Sequence, residues 1–170
     1  MSTLHLKQSK IALGGGCHWC TEAVFQSLRG VEKVEQGYVT SVGNATTFSE
    51  AVVVHFNPQK ISLAVLIEIH LYTHKSTVAH SMREKYRSAV YTFSEAQKEA
   101  SEIILQKLQD NFSEKLVTQV LSFKSFKGSR EAITNYYQKN PHKPFCERFI
   151  EPKLELLRKE FSDFTNKITP

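Results

Sequence analysis

Gly14-Gly15-Gly16 is the feature that most restricts how this chain can fold. A triplet of glycines carries a high ordering cost and no side chains to pack, so regular structure breaks there. Lys10 to Gly14 reads as a short strand running into the break. From Cys17 through Leu28 the spacing turns helical, with Val24, Phe25 and Leu28 on one face. A strand, a glycine turn and a helix N-terminus therefore meet at Cys17.

The rest of the chain continues the alternation. Gly30 ends the first helix, Val31 to Val39 alternates as a strand does, and Glu50 to Phe56 is a β-branched run expected to be well buried. Thr40 to Thr47 between them is a polar loop. After the Asn57-Pro58 turn, Ser62 caps a helix containing Leu63, Leu66, Ile67, Ile69 and His70. Arg87 to Phe93 is the next strand. Ser94 and Gln97 form a capping-box pattern for an amphipathic helix reaching Asn111, and Lys115 to Phe123 adds a strand. Beyond Ser129 two short helices are expected, Arg130 to Gln138 and Pro152 to Phe161, around a surface coil from Asn140 to Cys146. The order β-α-β-β-α-β with an added helix and strand predicts an α+β, ferredoxin-like two-layer core with a coil-rich C-terminal segment. With 170 residues, 41% of them hydrophobic, one domain over 1–170 is expected, its core at about 10–126 and its helices and coil at 127–170.

Composition narrows the function. The net charge of +5 is diffuse, and its densest stretch, Lys153 to Lys159, interleaves Glu155 at helical spacing. This is the pattern of a solvated helix face, so no nucleic-acid partner is expected. No apolar run approaches the roughly 20 residues of a membrane span, and no leader pattern opens the chain. A cytoplasmic monomer without membrane association is expected. Three cysteines, two of them in Cys17-His18-Trp19-Cys20, do not form the framework of a secreted disulfide domain and point instead to redox or metal chemistry.

A thiol is a useful nucleophile as thiolate, and a helix N-terminus favours the anion. Cys17 sits where that effect operates. Trp19 offers an apolar wall beside the sulfur, suited to a small alkyl or thioether group, or else is a core residue. Two further readings of the Cys-x-x-Cys stand beside a thiol enzyme. Cys17, Cys20, His142 and Cys146 would make a Cys₃His zinc set, and strand, Cys-x-x-Cys and helix also follow in the order of a thioredoxin-like dithiol.

Gly16-Cys17-His18-Trp19-Cys20-Thr21-Glu22 resembles the Gly-Cys-Phe-Trp signature of the A-type peptide methionine sulfoxide reductases. The similarity continues through Ala23-Val24-Phe25 to Gly37-Tyr38, Ser49-Glu50-Ala51-Val52, Tyr86-Arg87-Ser88-Ala89, and Asn140-Pro141 to Phe145-Cys146, spanning about Lys10 to Phe161. The resemblance implies that Cys17 attacks the sulfur of methionine S-sulfoxide, free or in proteins, that Glu50 is the acid for the sulfoxide oxygen, and that Tyr86 donates a hydrogen bond to it. Such an acid belongs in a buried site. His18 and Trp19 fall at the substrate-binding positions. The sulfenic acid left on Cys17 condenses with a resolving thiol, Cys146 or Cys20. A thioredoxin-like protein, or dithiothreitol in its place, then restores the enzyme. No metal or organic cofactor is implied, and protein repair under oxidative stress is the implied role.

Four positions depart from the family pattern. His18 replaces a Phe of the methyl pocket. The loop from Val39 to Thr47 is short and lacks a second tyrosine. Ser81 stands in place of an aspartate, and Arg130-Glu131-Ala132-Ile133 replaces a Glu-Asp-Tyr-His run. The alternative to sulfoxide turnover is a divergent thiol redox sensor or thiol-disulfide oxidoreductase, or the zinc site.

Overall fold

A computed structural model describes residues 8–165. Six strands, β1 (Ser9–Gly14), β2 (Val31–Thr40), β3 (Ser49–Phe56), β4 (Ala89–Thr92), β5 (Gln119–Ser122) and β6 (Ser125–Gly128), form one sheet in the order β5-β4-β1-β3-β2-β6. The inner four, β4-β1-β3-β2, are antiparallel to one another and have the ferredoxin-like order. Helices α1 (His18–Gln26) and α2 (Leu63–Thr73) make the two split crossovers, β1-α1-β2 and β3-α2-β4. Helix α3 (Glu95–Leu108) then returns the chain to β5, which pairs parallel with β4. The expected α+β architecture is the observed one.

Both faces of the sheet are covered, which explains the unbroken apolar run Ala51-Val52-Val53-Val54 in β3. Ile11, Leu13, Val52, Val54 and Val90 face the helices, where Phe25, Leu28, Leu66, Ile67 and Ile69 complete the main core. Ala12, Ala51, Val53, Ala89 and Tyr91 form a second cluster on the other face, with Phe93, Phe123 and Phe126 packed against it. The buried Arg87 guanidinium is satisfied there, with Nε donating to the Tyr91 hydroxyl at 3.0 Å and Nη2 to the carbonyls of Val39 and Thr47.

The predicted caps form. Ser62 accepts the N–H of Val65 at 3.2 Å and Ser94 that of Gln97 at 3.1 Å, while the Gln97 side chain accepts the N–H of Phe93. Strand β6 is an addition to the expected set: four residues pairing with the edge of β2, too short to show a period. The expected helix over Arg130 to Gln138 is not continuous. A 3₁₀ turn at Glu131–Ile133 leads to Asn135 in the left-handed region, φ 55°, and only Tyr136–Lys139 (α4) is α-helical. The cause is tertiary. The buried Glu22 carboxylate accepts the N–H groups of Asn135 and Tyr136, and Gln26 donates to the Asn135 side chain at 2.7 Å. Those bonds fix a bend that Asn tolerates better than most residues.

The surface coil expected from Asn140 to Cys146 also needs correction at its end. Cys146–Ile150 is a π-helical turn that runs directly into α5 (Glu151–Glu160). Cys146, Ile150, Leu154 and Leu157 fall on one helix face and are buried in the main core. Pro144 marks a helical start rather than coil, since proline is tolerated in a first turn where its missing N–H costs nothing.

Candidate active site

The glycine turn is pinned from below. His70 Nε2–H donates to the Gly14 carbonyl at 2.7 Å, and Arg83 Nη1 donates to the Gly15 carbonyl at 2.8 Å and to that of Tyr86 at 2.9 Å. A side chain on Gly15 would strike the His74 ring, so here glycine is required by close approach. His74 donates from Nδ1 to the His70 carbonyl, leaving Nε2 to accept the Ser88 hydroxyl at 2.8 Å. Burial holds both imidazoles below the ordinary range, His70 at about 4. They are structural props of the turn that presents Cys17.

Cys17 is the N-cap residue of α1, and its carbonyl receives the N–H groups of Cys20 and Thr21. Its thiol pKa is lowered. The hydrogen bond from the Cys20 thiol is the largest cause, helped by the backbone N–H groups of Trp19 and Cys20 and opposed by burial and by Glu50. Cys20 is pushed well up, first because it is the donor in that pair and then by burial. The pairing therefore favours the anion at Cys17 over the anion at Cys20. Cys146 has no solvent exposure and burial raises its thiol. All three cysteines are free.

Glu50 opens β3 beside the start of α1 and is 7% exposed. Its Oε1 accepts the backbone N–H of His18 at 3.1 Å, so the acid and the thiol share one helix end. The Lys85 ammonium lies 3.8 Å from the other oxygen, Oε2, and 5.1 Å above the Tyr86 ring. The Tyr86 hydroxyl, foremost, and then Glu50 raise the pKa of that exposed lysine. Cys17, Glu50 and Tyr86 are thus gathered from α1, β3 and the segment before β4.

An open cavity of about 350 Å³ lies over the sulfur. Cys17, Cys20, His74, Tyr86, Phe145 and Lys153 are among its lining residues. His18, Trp19, Glu50 and Cys146 are not. His18 is turned inward against Gly37 and Tyr38. Trp19 stacks on Tyr136 with centroids 4.0 Å apart and meets Phe145 edge-on at 5.3 Å. Ser81 is exposed outside the cavity lining, and Tyr38 stands opposite Glu50 in the β2–β3 register. His142, the fourth member of the zinc reading, is exposed, and among the described residues no group of three or more His, Cys, Asp or Glu is placed to hold a metal.

Four residues of the site carry no signal that the sequence alone makes legible. Lys85 and Lys153 bring positive charge to the carboxyl and to the thiols, and Lys153 is itself lowered by burial while Cys20 and Cys17 oppose that shift. Glu22 and Tyr136 build the aromatic side of the site.

A thiol of lowered pKa at a helix N-terminus, paired with a second thiol and a buried carboxyl on a ferredoxin-like sheet, defines a thiol oxidoreductase site. The peptide methionine sulfoxide reductase family matches residues 9–165. Peptide methionine sulfoxide reductase MsrA of Trichodesmium erythraeum is 37% identical over 169 residues, covering 90% of this chain and 96% of that one. Mxr1 of Saccharomyces cerevisiae in its reduced form is similar in structure, with TM-score 0.74 and 25% identity over 82% of this chain and 90% of Mxr1. Mxr1 in complex with Trx2 matches with TM-score 0.62 and 23% identity over 76% of this chain and 85% of Mxr1. The chain belongs to the A-type peptide methionine sulfoxide reductases, oxidoreductases that use a thiol to reduce methionine sulfoxide.

Proposed function

We propose that Cys17 is the nucleophile and Glu50 the acid in reduction of the S-epimer of methionine sulfoxide, free or in proteins, with Tyr86 donating to the sulfoxide oxygen. One observation carries the assignment: the only cysteine with a lowered pKa lines an open cavity, and a buried carboxyl is held on the adjacent N–H of the same helix. The Cys17 thiolate attacks the sulfoxide sulfur, and the oxygen accepts a proton from Glu50 as the S–O bond breaks. Methionine leaves and Cys17 retains the oxygen as sulfenic acid; the substrate sulfur gains two electrons and the cysteine loses two.

Cys20 is the first resolving thiol, because its thiol is paired with the Cys17 sulfur one helical turn away. Condensation expels water and leaves a Cys17–Cys20 disulfide, with Cys146, buried close enough to influence Cys20, as the second thiol to which the bond can pass. A thioredoxin-like protein closes the cycle, by analogy with the complex of Mxr1 with Trx2. A cytoplasmic role in repairing oxidised protein agrees with three unpaired thiols.

The test is consumption of the separated epimers of N-acetylmethionine sulfoxide with dithiothreitol. Loss of the S-epimer alone, abolished in Cys17→Ser and strongly slowed in Glu50→Gln, is the expected result. Turnover of neither epimer by folded, reduced protein would overturn the assignment.

A further inference from the structure

His18 is buried, 4% exposed, and both of its ring nitrogens have defined neighbours. Nδ1 lies 2.9 Å from the Gly37 carbonyl, which can only accept, so Nδ1 carries a hydrogen in either charge state. That leaves Nε2 as the ring nitrogen turned to a second partner. It faces Glu50 Oε1 at 3.5 Å, and the same oxygen is anchored by the His18 backbone N–H. Residue 18 therefore holds the acid twice, once through its backbone and once through its ring.

We propose that His18 and Glu50 act as a coupled imidazole–carboxyl pair holding one transferable proton, so that His18 is a positioning residue that sets the protonation of the acid. The proposal rests on the assignment of Glu50 as the acid. In the proton-loaded pair the hydrogen resides on Nε2 or on the carboxyl. When the Cys17 thiolate attacks and the S–O bond breaks, Glu50 delivers that proton to the oxygen, leaving neutral imidazole beside carboxylate. Solvent reloads the pair with one proton. The balance is one thiolate, one sulfoxide and one proton giving one sulfenic acid and one thioether.

Other charged groups bear on this pair. The Lys85 ammonium approaches Glu50 from the opposite oxygen, at 3.8 Å. On β2 the Tyr38 ring meets His18 edge-on at 5.1 Å. On α1 itself Cys17 adjoins it, while Glu22, one turn on, is engaged by Gln36, Asn135 and Tyr136.

The test is the pH profile of a single turnover of N-acetylmethionine S-sulfoxide by reduced protein without added reductant, read as methionine formed. The thiolate sets the acidic limb and the proton donor the alkaline limb. In His18→Gln, whose amide can still donate to Gly37 but cannot carry the proton, the alkaline limb is expected to move at least about one pH unit toward acid with the acidic limb unmoved. His18→Phe is the second variant and should show the same displacement. Alkaline limbs that superimpose on wild type in both variants would overturn the proposal and leave the reductase assignment standing. Absence of Cys17-dependent methionine formation in wild type would instead overturn the assignment and the proposal with it.

Discussion

Tyr136 lies flat on Trp19, with ring centroids 4.0 Å apart and planes 6° from parallel. Neither ring lines the cavity, but Phe145, which does, meets both edge-on, so the seat of that lining residue depends on a short helix near the other end of the chain. An aromatic pair of this kind contributes about 1 kcal/mol beyond its buried area, or roughly five-fold in an equilibrium. Tyr136→Ala should raise KM for N-acetylmethionine sulfoxide by about that factor, with a smaller effect on kcat. Trp19 is the only tryptophan, so its emission should shift in parallel. An unchanged KM together with unchanged emission would count against the stacked wall.

Glu22 is what places Tyr136. Its carboxylate accepts two backbone N–H groups and the amide of Gln36 at 3.0 Å. Hydrogen bonds to a buried charged acceptor contribute more than neutral ones. Glu22→Gln should lower unfolding stability by about 2 kcal/mol in urea melts and reproduce part of the Tyr136→Ala effect on KM. Wild-type stability in this variant would show that the bonds at Asn135 and Tyr136 do not hold the bend.

The thiolate of Cys17 is favoured chiefly by the thiol of Cys20. Cys20→Ala removes the donor, so the pKa of Cys17 should rise and its alkylation by iodoacetamide near neutral pH should slow several-fold. Rate profiles against pH in the two proteins read the shift directly. A Cys17 pKa unchanged or lowered by Cys20→Ala would contradict the pairing.

Acid should destabilise the fold through His70. The unfolded chain protonates this histidine near 6.5, whereas burial holds the folded one neutral down to about 4. Between those values the unfolded state binds more protons, so stability falls as pH drops and the loss is complete below about 4. From pH 7 to 5 the contribution is about 2 kcal/mol, and His74, also lowered, acts in the same direction. His70→Asn should flatten the dependence of the urea midpoint on pH. Equal slopes in the two proteins would remove His70 as the cause.

Local pattern alone located the Cys17 position and most of the frame. The glycine triplet, the Cys17 position at a helix start, the caps at Ser62 and Ser94, and the β-branched run of β3 are all decided by neighbours within a few residues, so propensity and period make them legible. The resemblance of separated motifs added Glu50 and Tyr86, which no period marks. What sequence could not decide depends on groups far apart in the chain. Asn135 takes a left-handed bend because Glu22 waits for its N–H. Cys146 is core rather than coil because Ile150, Leu154 and Leu157 continue its face into the main cluster. His18 turns away from the cavity because the Gly37 carbonyl and the Glu50 carboxyl offer its ring two polar neighbours inside the fold. A buried polar group goes where its hydrogen bonds can be met, and only the assembled structure determines where that is.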